Sequence, residues 1–574
     1  MILDTEQRIK EYTIAKDGWK MGYWGEETIN EIFERQAKVH SQEEALVDPL
    51  NKPKLINLPP KRYTWGEVDK IVNRLSLRFA SLGIGPDDIV MIQLPNVTEL
   101  ILAFLALWRL GAITSPVIVQ ARTHELRYVL GHTEAKAFIV NANFGGFDHI
   151  KMIKEIAPEF PHLKHIIGLG KNLPTDVLSL EEMMETEVEG EYPQNYLDKF
   201  KLTANEIITI CWTSGTEAEP KACPRSHNNW LCYGNLLVIL MHLDSSSIIH
   251  TPFPLTNLAG FGTWLIPWII SGCKFVLHHP FDIMLYAKQI QDEKVTWTGA
   301  APAIHTWLLK SADAAKLDFS SLKEMISGSA PLGAWAYEEW EKRGVRAVNG
   351  YSSNEGLTLL ADEVFMPDVQ KRATYFARWD GPRARAIFPE LSKPIELKLV
   401  DPNSGEEVTE EGQLGELCGR APQIISGYYK QPEFTQKAFD KDGFYHTGDG
   451  FIHRGEDYIE FSVRIKDLII RGGMNISPEE IETVIVGYPK IKDAGVVGMP
   501  DPDLGERVCA YVVPEEGEQV TLEEICSYMR EKGFAKYKLP ERLEIINELP
   551  RNPVGKILKR KLREDFKKKL EALE

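Results

Sequence analysis

The chain has 574 residues, 43% of them hydrophobic and 26% charged, and carries a net charge of −17. That length is too great for one hydrophobic core and predicts two or more domains. The acidic balance argues against nucleic acid or an anionic membrane as main partner, and it requires any ATP site to be made positive locally.

Seven scattered cysteines, at 211, 223, 232, 273, 418, 509 and 526, contain no C-x-x-C pair and read as buried thiols of a reducing cytoplasm. Met1 to Glu6 lack a basic segment leading into an apolar one, so no secretion signal is expected. The most apolar stretches, 100–119 and 263–277, are interrupted by Arg109 and by Gly272 and Lys274. Neither gives a clean span of about 20 apolar residues, so no transmembrane segment is expected.

In chain order, Asp88 to Ile92 reads as a strand, Glu99 to Leu110 as a helix and Ala112 to Thr114 as a strand. Strand patterns recur at Ala137–Val140, Ile207–Cys211, Ser247–His250 and Lys274–Leu277, with helical patterns between them. Such alternation predicts an α/β protein with parallel sheets covered on both faces. From about 391 the texture shifts to short strands and turns, with Ser404-Gly405 and Asp442-Gly443 as hairpin signals. Beyond 464 an α+β piece is expected, with strands at 493–499 and 508–513 and a helix at 521–532. No internal repeat is visible, and Lys567 to Lys569 suit the end of a helix.

The segment Cys211 to Lys221 follows the apolar run Ile207 to Ile210 and opens into a turn containing Thr213, Ser214, Gly215 and Thr216. Backbone N–H groups, hydroxyls and the nearby Lys221 suit a polyphosphate. No G-x(4)-G-K-[ST] pattern occurs, so this is not a Walker A loop. Four further segments follow: Asn349 to Glu355, Tyr445 to Asp449, Arg464 to Asp467 with Gly472 and Gly473, and Pro550 to Lys556. In this order and spacing, the five segments resemble the core motifs of the adenylate-forming superfamily. That group holds acyl-CoA synthetases, adenylation domains of peptide synthetases and luciferases. The resemblance covers nearly the whole chain, from Tyr63-Thr64-Trp65-Gly66-Glu67 onward.

The resemblance implies a large domain over 1–464, β-rich from about 391, and a small mobile α+β lid over 465–574. It also implies a reaction: a carboxylic acid attacks the α-phosphate of ATP, giving an acyl-adenylate and pyrophosphate, and a thiol, usually coenzyme A, displaces AMP. Both reactants of the first step are anions, so catalysis rests on positioning and charge neutralisation. By resemblance, Lys556 bridges acid and α-phosphate; on sequence alone it is an exposed lysine in a lysine-rich tail. Glu355, with Thr216, would hold Mg²⁺. Thr213, Ser214, Gly215, Thr216 and Lys221 would cradle the β- and γ-phosphates. Asp449 and Arg464 would take the ribose, and Asn354 the α-phosphate. Tyr351, flanked by Gly350 and Ser352, would stack on adenine, unless it is plain core. Asn349 would read the adenine amino group, and Gly328, Ser329, Ala330 and Pro331 would line its other side. Lys466 would be the hinge, and Gly472 and Gly473 would let the pantetheine arm of coenzyme A pass.

The family's phosphate loop usually reads T-S-G-T-T-G-x-P-K-G, whereas Glu217, Ala218 and Ala222 stand at three of its positions. A carboxylate ~4 Å from a phosphate charge costs about 4 kcal/mol at an effective dielectric near 20. Glu217 is therefore expected to point away, help bind the metal, or pair with a cation such as Arg225. The acid pocket is expected from Leu255, Asn257, Ala259, Gly260, Trp264, Ala301 and Gly328, with Trp264 either pocket wall or core. These residues include no Lys or Arg, which implies an unsubstituted hydrophobic acid. Pro224 to Asn229 resembles the aryl-acid members, favouring a benzoate- or cyclohexane-carboxylate-type acid over a medium-chain fatty acid. Two other readings stay open, a carrier-protein loading enzyme and a nucleotide-binding protein without activity. No metal-ligand cluster or G-x-S-x-G nucleophile is visible in the sequence. A homodimer is the candidate assembly.

Overall fold

The computed structural model describes residues 4–13, 23–213, 220–279, 281–328, 332–402, 404–471, 474–501, 504–532, 534, 536–551 and 557–571. Two large sheets form its N-terminal part. The first has seven strands in the order Ala222–Ser226, Ile207–Trp212, Ile113–Pro116, Ile89–Gln93, Ala137–Asn141, His165–Leu169, Leu178–Ser179, parallel except at the Ala222–Ser226 edge. Ile89–Gln93 and Ala137–Asn141 are buried at every position, as expected of parallel strands covered on both faces.

The second sheet has eight strands in the order Thr358–Ala361, Arg346–Ser352, Glu324–Ser327, Trp297–Ala300, Ile248–Thr251, Lys274–Leu277, Glu44–Val47, Arg62–Thr64. Only its two outermost pairings are antiparallel. The helix Thr98–Trp108 is buried along its whole length, which explains its almost uninterrupted apolar sequence. At its start, Glu99 and Asp48 hold the fully buried Lys52 ammonium at 2.7 and 2.5 Å. The helix Trp65–Ser81 begins with a capping box in which Thr64 and Glu67 satisfy each other's backbone N–H groups.

A third sheet is wholly antiparallel: Tyr375–Ala377, Tyr458–Arg464, Tyr445–His453, Leu414–Arg420, Glu396–Val400. Its first strand lies ahead of 391, so the β-rich part starts earlier in the chain than the turn signals suggest. The C-terminal part has its own core of Ile469, Ile481, Val496, Ala510 and Met529. There Ile491–Asp501 and Gly505–Pro514 form a long hairpin, joined by Arg542–Ile545 and covered by Pro478–Val486 and Leu522–Glu531. All seven cysteines are free and buried. Among the described residues, no helix is long and apolar enough to cross a membrane.

Candidate active site

A cleft of about 730 Å³ opens where the edges of the three N-terminal sheets meet. Its polar end is supplied by four short segments. Thr213 and Lys221 stand at the two ends of the turn after Ile207–Trp212. Thr213 N–H donates to the Lys221 carbonyl at 3.0 Å, and Lys221 N–H to the Thr213 hydroxyl at 3.1 Å. The turn thus leaves and returns at one point of an antiparallel pair, with Trp212 opposite Ala222. Ser214, Gly215, Thr216 and Glu217 lie outside the described residues, so their expected phosphate and metal roles are not placed. Arg225, expected as a partner for Glu217, is fully buried instead. It lies over the Trp230 ring at 4.7 Å and donates to the Asn354 carbonyl. The Lys221 ammonium lies 5.5 Å from the rings of Tyr428 and Phe434.

Glu355 sits in the turn after Arg346–Ser352 and is nearly buried. Its carboxylate accepts the Tyr428 hydroxyl at 2.7 Å, and its carbonyl accepts Ile425 N–H at 2.9 Å. The next residue, Gly356, has φ +121°, and a Cβ there would stand 2.3 Å from the Gln423 carbonyl oxygen. Only glycine fits this turn. Burial, and then the Glu355 charge, push the Tyr428 phenol far above its usual pKa, so it stays a donor to that carboxylate.

Tyr351, Asp449 and Arg464 meet across two sheets. The Tyr351 hydroxyl donates to Asp449 Oδ2 at 2.7 Å, and Arg464 Nε lies 3.2 Å from Oδ1. Asp449 Oδ1 is nonetheless buried without a hydrogen-bond partner among the described residues. A buried acceptor aimed at a cleft fits a hydroxyl donor such as that of a ribose. Burial lowers the pKa of Arg464, but the Asp449 charge, followed by those of Tyr351 and Asp467, more than offsets this and raises it. The Tyr351 ring stands edge-on to Phe451 at 5.2 Å and lines the cleft with Gly350, Ser352, Asn354 and Gly328.

Other expected residues fall elsewhere. Asn349 is buried behind the cleft wall, its amide donating to the carbonyls of Arg372 and Ala373 at 2.9 and 3.0 Å. Its amide nitrogen is thereby tied to the Val369–Arg372 helix and the residue after it. Asn354 does line the cleft, but its side-chain oxygen accepts Leu258 N–H at 3.0 Å. Leu255 packs in the core with its N–H on Asn96, and Gly260 lies so close to Pro254 that a Cβ would meet its carbonyl oxygen at 2.2 Å. Neither of these, nor Ala301, forms part of the cleft wall. Ser329, Ala330, Pro331, Gly472, Gly473 and Lys556 lie outside the described residues, as does the side chain of Lys466. The 3-10 turn Ile465–Asp467 that carries Lys466 joins the antiparallel sheet to the C-terminal part.

The apolar end is built from Tyr233, Leu237, Phe253, Trp264 and Ile326, with Asn257, Ala259 and Thr263 at its edge. Trp264 serves both as wall and as core. It packs 4.2 Å from Trp297 and 6.3 Å from Phe253, ring centre to ring centre. Tyr233 and Leu237 come from the helix His227–Leu240, which follows the aryl-acid-like segment; the sequence reading did not include them. The signal was available, because they stand four apart on one face of that helix.

The cleft thus combines charged donors and a buried carboxylate with aromatic walls. The chain belongs to the AMP-binding enzyme family: that family's model matches residues 33–429, and the model of the AMP-binding enzyme C-terminal domain matches 480–556. Its relatives include the medium-chain fatty-acid–CoA ligase of Escherichia coli, 29% identical over 96% of this chain and 92% of the relative. The 2,3-dihydroxybenzoate-AMP ligase of Bacillus subtilis is also 29% identical, over 97% of each chain. Among solved structures, the anthranilate CoA ligase AuaEII in complex with anthranoyl-AMP superposes with a TM-score of 0.80. It is 23% identical, with 96% of this chain and 98% of that one covered, and so speaks for the fold. The chain is an AMP-forming ligase of the adenylate-forming superfamily.

Proposed function

We propose that this ligase activates an unsubstituted ring acid of the benzoate or cyclohexane-carboxylate type and passes the acyl group to coenzyme A. The observation that carries this reading is the apolar end of the cleft. Tyr233, Phe253 and Trp264 supply aromatic surface there, while of the cations lining the cleft Lys221 stands by Tyr428 and Phe434, Arg464 by Asp449, and Lys437 on the helix Pro432–Ala438. The names of the relatives span medium-chain, aryl-acid and adenylate-forming ligases, so they support the reaction class more than the acid.

The polar end gives each residue a task. Asp449 would receive a ribose hydroxyl on its unpartnered oxygen, with Arg464 compensating its charge. Tyr351 would offer its ring to adenine, and Lys221 would neutralise phosphate charge. Glu355, one side of which is fixed by Tyr428, suits Mg²⁺ as a hard oxygen ligand. Magnesium, when bound, would offset charge on the phosphates. Lys556 would bring its ammonium between the acid and the α-phosphate, from a lid turning about Lys466, and Gly472 and Gly473 would border the thiol's path.

The test is AMP release from ATP, Mg²⁺ and coenzyme A with benzoate, cyclohexane carboxylate and octanoate, with Lys556→Ala in parallel. Turnover with a ring acid, dependent on coenzyme A and lost in Lys556→Ala, is the expected result. Preference for octanoate replaces the ring with a chain. Adenylate formation without turnover on coenzyme A moves the acceptor to a carrier-protein thiol.

A further inference from the structure

No metal-ligand spacing is visible along the sequence, yet the fold assembles one set of ligands across two strands. Leu414–Arg420 and Tyr445–His453 pair antiparallel with Cys418 opposite His446, and the register shifts between Glu416 and Cys418. This brings one donor atom each from Glu416, Cys418 and His446 within 4.8 Å of one another. Glu416 Oε2 lies 2.9 Å and Cys418 Sγ 3.3 Å from His446 Nδ1. Around a tetrahedral zinc ion, neighbouring nitrogen, oxygen and sulfur ligands stand roughly 3.3–3.6 Å apart. The two distances to His446 are within half an ångström of that spacing, and the Glu416 carboxylate and Cys418 Sγ stand within 4.8 Å of each other.

An outer layer of contacts points the same way. His446 Nε2 faces Asp440 Oδ2 at 3.8 Å, and Asp440 is itself held by Lys398 at 2.7 Å and by the N–H groups of Asp442 and Phe444 at 3.0 and 2.9 Å. A carboxylate on that side favours a proton on the far nitrogen once a metal takes the near one, here by charge attraction across 3.8 Å and not by a hydrogen bond. The other Glu416 oxygen accepts Gly448 N–H at 2.7 Å, so this ligand is also oriented in advance. Glu416 and His446 line the cleft and are partly exposed, whereas Cys418 is buried beneath them. An ion therefore has a way in.

We propose that Glu416, Cys418 and His446 bind a thiophilic divalent cation, zinc by the character of the ligands, at a position distinct from any magnesium held by Glu355. Sulfur excludes magnesium here and favours zinc or cobalt. On binding, the Cys418 thiol releases its proton to solvent, and the proton that His446 Nδ1 shares with Glu416 is displaced, leaving His446 protonated on Nε2 only, toward Asp440. One carboxylate and one thiolate then balance the two positive charges. The site does not depend on which acid the enzyme activates.

The experiment is titration of the chelator-treated, full-length protein with Co²⁺ in excess Mg²⁺, followed in the near-ultraviolet. We expect one Co²⁺ per chain with a thiolate-to-cobalt charge-transfer band that zinc abolishes. Cys418→Ser should lose the band, and Asp440→Asn should weaken binding by roughly 10- to 100-fold. His446→Gln is the second ligand variant should Cys418→Ser fold poorly. Absence of the band in the wild-type protein, or a band unchanged in the ligand variants, overturns the proposal.

Discussion

At Asp449 the binding groups of the cleft hold one another. Tyr351 already donates to one oxygen, so an incoming ribose finds the other ion-paired with Arg464 but without a hydrogen bond, and competes for the first. Removing the carboxylate leaves Arg464 half-compensated and the ribose without its acceptor. Asp449→Ala should cost about 1.5–3 kcal/mol in kcat/KM for ATP, roughly 10- to 100-fold, with a smaller effect on the KM of the acid. Steady-state kinetics with each substrate varied in turn check this. At this scale the sequence was informative wherever a role sits inside one short segment: Thr213, Lys221, Tyr351, Glu355 and Asp449 all reach the cleft. It put Leu255 on the cleft wall, where the structure has it in the core, because motif membership does not say which side of a strand or turn a side chain takes. It missed Tyr233, Leu237 and the pairing of Cys418 with His446, since sheet register and helix facing depend on partners distant in the chain.

At the scale of elements, the turn that carries Glu355 depends on a glycine. Gly356→Ala combines a positive φ with a 2.3 Å approach to the Gln423 carbonyl and should destabilise the protein by about 2 kcal/mol or more. A lower denaturant midpoint and weaker activity are the expected readouts. The far edge of the eight-stranded sheet depends on charge instead. Glu44 is hydrogen-bonded by Arg62 and Lys274, which also share Glu293. The Arg62 hydrogen bond leads in lowering the Glu44 pKa from its ordinary 4.5 to about 2, with Lys274 adding to it. The folded state thus binds this proton less tightly than the unfolded one. Its stabilising share is present above pH 4.5 and fades as the pH falls toward 2. Glu44→Gln should flatten that acid limb in a stability–pH profile while changing little in the shape of the curve above pH 5, about the top of this range. Alternation of strand and helix patterns made most of these elements readable in advance. The two antiparallel outer pairings and the early start of the third sheet were not, because short edge strands carry little periodicity.

Across the whole molecule, the junction between the antiparallel sheet and the C-terminal part is narrow. Ser477 donates to the Ser462 carbonyl at 2.7 Å, and Arg563, from the helix Lys559–Glu571, holds Asp467 at 2.8 Å beside the turn that carries Lys466. If the C-terminal part turns about Lys466 between the two chemical steps, the Ser477–Ser462 bond, which crosses the junction, must open, whereas the Arg563–Asp467 pair lies within the C-terminal part and turns with it. Ser477→Ala, which removes the bond across the junction, should then alter the ratio of adenylate formation to thioester formation severalfold. Its effect on stability should be about 1 kcal/mol, from the cap that Ser477 also gives to Glu480 N–H. Measuring the two half-reactions separately distinguishes this from a general loss of activity.

The burial of all seven thiols has a practical meaning for that motion. A bulky maleimide dye finds no exposed cysteine on the native protein, so new cysteines placed on the surface become its preferred targets. One on the exposed face of helix Ala334–Lys342 and one on helix Leu522–Glu531 would carry a fluorescent donor and acceptor without stripping the native thiols from the core. The unaltered interior thus becomes the dark background against which the distance between the two parts is read, one turnover at a time.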